Sequence, residues 1–191
     1  MTPIHLPGRV AIPSLPEQTR TPPSLTALES FNTAPADEVR PALLACLHSP
    51  RWADRIADHR PYPDIDSLLA ASDEAAYDLS PGDLTQALAG ETLPVLPPDV
   101  YGAAHTALSA ASAAYEARFG HAFVICVDGL PPNEALDQAL AGIRSRLAND
   151  PEEERVVAAE ELRHLARARL LELLRGAGNC ATSHNEPASG K

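Results

Sequence analysis

Only one well-formed stretch of this chain, Phe123-Val-Ile-Cys-Val127 between Gly120 and Asp128-Gly129, has the make-up of a buried β-strand. The competing extended run, Val10 to Ile12, is short and lies among prolines, and a lone strand cannot bury its edges without a partner. No sheet can be built from this, so the chain must fold through helices. Its apolar residues agree: 45% of the sequence is hydrophobic but only 4% aromatic. The apolar set is mostly Ala and Leu, which suit helices and suit sheets poorly. With 191 residues, one compact all-α, multi-helix domain is expected. Phe123 to Val127 then reads as an extended or helix-entry segment threaded through a helical core, its backbone polar groups needing partners elsewhere.

Prolines at 3, 7, 13, 16, 22 and 23 forbid a continuous helix, so residues 1–24 are expected to form a disordered arm. Residues 25–175 form the domain. Residues 176–191, rich in Gly, Ser, Asn and Ala, lack apolar periodicity and predict a loose tail. Within the domain, Asp150-Pro-Glu-Glu153 places an acceptor at the N-cap, proline at the first helical position and acid in the first turn, which starts a helix. Leu136, Leu140, Ile143 and Leu147 recur at helical spacing behind Pro131-Pro-Asn133. Asp99 caps a further helix that ends near Gly120. Earlier helices are expected over 37–47, 51–58, 65–71, 73–79 and 84–89.

A formal charge of -11, with no Lys/Arg cluster free of interleaved acids, argues against a nucleic-acid partner. Cys46, Cys126 and Cys180 lie far apart without zinc-type spacing and read as inert thiols. No apolar run is long enough to cross a bilayer, and the first residues lack a charged start followed by an apolar core. With an Ala-Ser-Gly-Lys end rather than a Ser-Lys-Leu address, the cytoplasm is the expected location and no membrane partner is expected. Ser49 has no GxSxG context, so hydrolase chemistry has no support.

One charge falls where it costs most. On the last helix Arg169 lies in the middle of the stripe made by Ala158, Leu162, Leu165, Ala166 and Leu173. A buried guanidinium must meet a carboxylate, carbonyls or an anionic ligand. Either it forms a structural pair with an acid such as Glu160 or Glu116, or it holds a ligand. Arg163 and Arg167 fall on the opposite, solvent face and read as solubilising. His48, His59 and His164 show no nucleophile or ligand spacing and read as surface or capping residues.

Three blocks, Tyr115-Glu-Ala-Arg-Phe-Gly-His-Ala-Phe-Val-Ile-Cys-Val127, Arg146-Leu-Ala-Asn-Asp-Pro-Glu-Glu-Glu154 and Ala159-Glu-Glu-Leu-Arg-His-Leu-Ala-Arg-Ala-Arg-Leu170, together resemble the 2-oxo-4-hydroxy-4-carboxy-5-ureidoimidazoline (OHCU) decarboxylases. Phe31-Asn32, Cys46-Leu-His-Ser-Pro-Arg-Trp52 and Arg60-Pro-Tyr62 look like landmarks of the same family, with Trp52 a core anchor. The resemblance implies a carboxy-lyase of urate breakdown that gives (S)-allantoin without metal or organic cofactor, and it implies a homodimer. The expected small-molecule partner is a ureide or imidazolone acid. Arg169 would hold the anionic substrate, and Phe123, Val124, Ile125, Cys126 and Val127 would line its site, largely through backbone groups.

The chain departs from the family pattern between its halves. The family carries His-Pro-[Arg/Lys]-Ile-Gly and then Glu-Gln; here Ala89-Gly-Glu-Thr-Leu-Pro-Val-Leu-Pro-Pro-Asp99 leads into the next helix with neither. Decarboxylation leaves a carbanion-like centre that must be reprotonated, and a positioned donor contributes roughly 10²- to 10⁴-fold. Two substitutes are candidates. Glu91 lies close to where the histidine would be and could serve if burial raised its pKa. His105 lies on the following helix, and an unperturbed histidine titrates near about 6.5. For each, an ordinary exposed side chain is the alternative.

Overall fold

The computed structural model describes residues 26–92 and 102–182, with side chains at 26–92 and 106–176. The arm at 1–24, the Val10 to Ile12 run and the Asp99 cap lie outside the described residues. Among the described residues there are eight helices and no strand: α1 (Ala27–Thr33), α2 (Ala36–Cys46), α3 (Pro50–Asp58), α4 (Ile65–Tyr77), α5 (Pro81–Gly90), α6 (Gly102–Phe119), α7 (Pro132–Arg146) and α8 (Pro151–Thr182). No described helix is long and apolar enough to cross a membrane.

Local chemistry accounts for the starts. Side-chain oxygens satisfy first-turn amides that have no partner inside the helix. Thr26 and Glu29 form a reciprocal capping box at α1, and Ser80 and Asp83 another at α5. Ser49 caps α3 ahead of Pro50, and Asp64 caps α4. At α8, Asp150 Oδ1 accepts from the amides of Glu152 (2.8 Å) and Glu153 (2.9 Å). Gly120, at φ +78°, ends α6 in a conformation that a side chain would resist.

Two expectations about helix extent change. The segments expected at 65–71 and 73–79 are one helix, α4, because Ser72 and Asp73 cost only tenths of a kcal/mol inside a helix, roughly 0.7 at most. Buried Ser72 instead lends its carbonyl to Trp52 Nε1 at 3.1 Å, and Trp52 is fully enclosed. The helix α8 also runs on to Thr182, past Gly176 where a tail was expected. Gly costs about 1 kcal/mol per position but does not by itself stop propagation from a long, packed helix.

Two apolar clusters form the interior. The larger joins α1–α5 to α8 around Leu43, Trp52, Ile56, Leu68, Leu162 and Leu170. The smaller joins α6 and α7 around Leu108, Tyr115, Leu136 and Ile143. Val124 packs into the first, while Phe123 and Ile125 pack into the second. That alternation is what an extended chain does, successive side chains pointing opposite ways. The segment is a strand in conformation without a sheet, seated in the seam between the two clusters.

Polar pins complete the frame. Asn32 exchanges hydrogen bonds with the backbone of Tyr62 at 2.8 and 2.9 Å, and Arg60 donates to the carbonyls of Phe31 (2.7 Å) and Ala34 (2.8 Å). Arg163 and Arg167 are not merely solubilising. Arg163 pairs with Glu160 and with Asp73 at 3.2 Å while lying over the Tyr77 ring, and Arg167 reaches Asp73 at 3.2 Å. Both tie α8 to α4, because that flank of α8 is covered by α4 rather than by water.

Candidate active site

Arg169 leaves α8 toward the chain ends of two other helices. Its Nη1 donates to the carbonyl of Cys46, the last residue of α2, at 3.1 Å. Such a carbonyl has no partner within its own helix and carries the negative end of the helix dipole. The main partner is Glu91, the C-cap of α5: Nη1 donates to Oε1 at 2.8 Å and Nη2 to Oε2 at 2.7 Å. This is the paired geometry in which a guanidinium and a carboxylate bind most strongly. The Glu91 side chain is 2% exposed and that of Arg169 31%.

The acid that meets Arg169 is therefore neither Glu160 nor Glu116. Glu160 is held by Arg163, and Glu116 is exposed. Sequence separation hid the true partner, since Glu91 and Arg169 stand 78 positions apart.

His48 sits against the same carboxylate, with Nδ1 3.3 Å from Glu91 Oε1. An ionised carboxylate only accepts, so this tautomer carries its hydrogen on Nδ1. The imidazole lies over Gly90, where a Cβ would come within 2.5 Å of His48 Cγ. The absence of a side chain at position 90 is what lets the ring reach Glu91. His48 is thus more than the surface or capping residue its spacing suggested.

These contacts set the protonation states. Burial pushes the Glu91 pKa up, but the hydrogen bonds and charge of Arg169, helped by His48, outweigh it and leave the carboxyl below its ordinary value of 4.5. The expectation of a Glu91 pKa raised toward neutrality is corrected: paired with Arg169 it is a carboxylate. The hydrogen bonds to Glu91 raise the Arg169 pKa against the opposite pull of burial. Burial raises the Cys46 thiol beside it to about 11, so it stays neutral.

The ion pair helps to line a cavity of about 390 Å³, whose walls include Phe123, Val124, Ile125 and Val127. Asp128 and Glu172 add acidic groups to its lining. Cys126 does not line it; its amide donates to Glu161 Oε2 at 2.8 Å and fixes the segment to α8. The His105 side chain lies outside the described residues, so only its place near the start of α6 is given.

A second polar cluster, missed in the sequence, holds the cavity wall. Arg146 Nη1 donates to the Val124 carbonyl at 2.6 Å, and its Nε and Nη2 reach Glu154 Oε1 at 2.9 and 2.5 Å. Tyr115 donates its hydroxyl to the same Glu154 oxygen, and Asn149 Nδ2 binds the other at 2.9 Å. The guanidinium also lies 4.6 Å from the Phe123 ring centroid. Burial, with the hydrogen bond to Glu154, drives the Tyr115 pKa upward. The available signal was Arg146 three residues after Ile143, on the apolar face of α7.

Together these features define an all-α domain in which a buried ion pair opens on a ligand-sized cavity. The family model for OHCU decarboxylase matches residues 32–92 and 99–171, more than half of the sequence, and the chain belongs to that family. Among solved structures, one of OHCU decarboxylase in the presence of (S)-allantoin is similar at a TM-score of 0.61 and 18% identity, covering 74% of this chain and 99% of that one. A structure of (S)-allantoin synthase is similar at a TM-score of 0.59 and 22% identity, covering 78% of this chain. This chain spans about half, 54%, of that synthase. At these identities the likeness is one of fold. A search of curated protein sequences finds no significant match.

Proposed function

We propose that this chain is a carboxy-lyase acting on OHCU, releasing carbon dioxide and giving (S)-allantoin in urate breakdown, without metal or organic cofactor. The observation that carries this reading is a single cavity lined by Arg169 and Glu91 together with Phe123, Val124, Ile125 and Val127. Its volume falls in the roughly 300–1,000 Å³ range of small-molecule sites. Arg169 holds the substrate carboxylate, and the extended segment forms the wall against which a flat ureide lies. Glu91, once protonated, is the candidate proton donor beside Arg169, with His105 the other candidate.

The test generates OHCU from urate in situ and follows the circular dichroism of allantoin with and without the protein. Faster appearance of one enantiomer supports the assignment, and unchanged decay to racemic product refutes it. In a calorimetric titration with an anionic ureide, Arg169→Ala abolishes binding while Arg167→Ala does not; equal behaviour removes Arg169 from the site. One observation favours a second reading, a non-catalytic ligand-binding or protein-interaction domain: both oxygens of Glu91 are engaged by Arg169. Ligand binding without turnover would support it.

A further inference from the structure

The Glu91–Arg169 pair poses a problem of charge that the cavity itself helps to solve. Arg169 is the cation that an anionic ligand would seek there, yet it is already matched, and Asp128 and Glu172 make the lining more negative still. A second carboxylate could be added beside Glu91, whose side chain is 2% exposed, only at the cost of like-charge repulsion that water screens poorly there. We propose that the ligand's carboxylate displaces Glu91 from Arg169, and that Glu91 takes up a proton as it is released, so that the incoming anion itself creates the acid. The inference rests on the carboxy-lyase reading for its chemical purpose, but the exchange is a property of binding alone.

Three features support it. Both partners line the cavity, and the Arg169 side chain is 31% exposed, so a ligand can reach the guanidinium. The Glu91 side chain, at 2% exposure, has no room to carry its charge into water when released. Burial is the largest influence on its ionisation and acts to raise its pKa; only Arg169 and, more weakly, His48 hold it down. With Arg169 neutralised by another carboxylate, desolvation prevails and the carboxyl becomes protonated.

The groups around Glu91 fit this account. Arg169 comes from α8, His48 from the link between α2 and α3, and Asp128 and Glu172 from the remaining lining. The Cys46 and Cys126 thiols also lie near Arg169. His48, its side chain 42% exposed, stays beside Glu91 Oε1 and provides contact with solvent.

The reaction then balances. The bond from the hydroxyl-bearing ring carbon to the carboxylate breaks, carbon dioxide leaves, and the electron pair moves into the neighbouring C=N bond to give an enol. The adjacent ureido-bearing carbon takes the Glu91 proton, and the enol hydroxyl becomes the carbonyl as its own proton passes to the ring nitrogen. The carboxylate of Glu91 returns to Arg169, restoring the resting pair, and a proton is drawn from solvent in each cycle.

The experiment uses hydantoin-5-acetate, a ureide ring bearing a carboxylate, as probe, with the full chain. Calorimetric titration near neutral pH, repeated in buffers of different ionisation enthalpy, reads proton uptake directly. Wild type should take up about one proton per probe bound, and its affinity should fall about tenfold for each unit rise in pH. Glu91→Gln should bind the probe at least as tightly, with no uptake and a flat pH dependence. Binding to wild type without proton uptake overturns the exchange, as does uptake that persists in Glu91→Gln or failure of the probe to bind. If Glu91→Gln does not fold, the wild-type stoichiometry decides alone. The two readings separate cleanly: proton-coupled binding without OHCU turnover sinks the carboxy-lyase, and turnover with uncoupled binding sinks the exchange.

Discussion

Replacing Glu154 by alanine should be among the most damaging single changes in this protein. The side chain is fully buried and accepts from Arg146, Tyr115 and Asn149. Its removal leaves the Arg146 guanidinium, with a side chain 8% exposed, without its counter-charge. Breaking one partner of a buried pair costs about 3–5 kcal/mol. For a domain of this size that corresponds to a fall in melting temperature of about 6–20 °C, at about 2–4 °C per kcal/mol. Thermal unfolding followed by far-UV circular dichroism measures it. The companion double variant, Arg146→Met with Glu154→Leu, should be less destabilised than Glu154→Ala, since it leaves no orphaned charge. A shift of less than about 3 °C for Glu154→Ala, which is only about 1 kcal/mol, would refute the argument that the pair is buried and mutually dependent.

Two further predictions concern the Glu91 end of the cavity. Because the folded pKa of Glu91 lies below its ordinary 4.5, the pair contributes stability that is fully present above that value and is lost as pH falls through the folded one. The stability gap between wild type and Glu91→Gln should therefore close on acidification, and a gap that widens in urea titrations at falling pH would contradict the sign. Gly90→Ala gains helix propensity of about 1 kcal/mol but drives a Cβ to within 2.5 Å of His48 Cγ. Overpacking of about 1–3 kcal/mol should prevail, and adding His48→Ala should recover the loss; a stabilised single variant would mean that the ring moves freely.

How much was legible depended on the range of the interaction involved. The start of α8 could be read because Asp150, Pro151 and Glu153 act within one turn. The extended state of Phe123 to Val127 could be read from the lack of a partner strand, and the inward aim of Arg169 from its helical stripe. The identity of its partner could not, because pairing between α5 and α8 is a tertiary event. The same limit hid the direction of the Glu91 shift: burial alone predicts a raised pKa, and only the position of Arg169 reverses it. Arg146 escaped because it ends α7, where a basic residue is ordinarily explained by the helix dipole. The break expected between 71 and 73 is absent because Ser72 and Asp73 are tolerated inside α4, where the Ser72 carbonyl also accepts from Trp52.

The wall of the cavity is an orphan strand, and its stiffness is borrowed. Neighbouring strands would normally hold such a chain; here a guanidinium grips the Val124 carbonyl and a carboxylate grips the Cys126 amide, while side chains anchor alternately in two separate cores. Bending this wall to admit a new ligand would disturb both cores together. Adaptation of the pocket is thereby channelled to lining residues outside this segment, such as Glu172, whose replacement leaves both anchors of the wall in place.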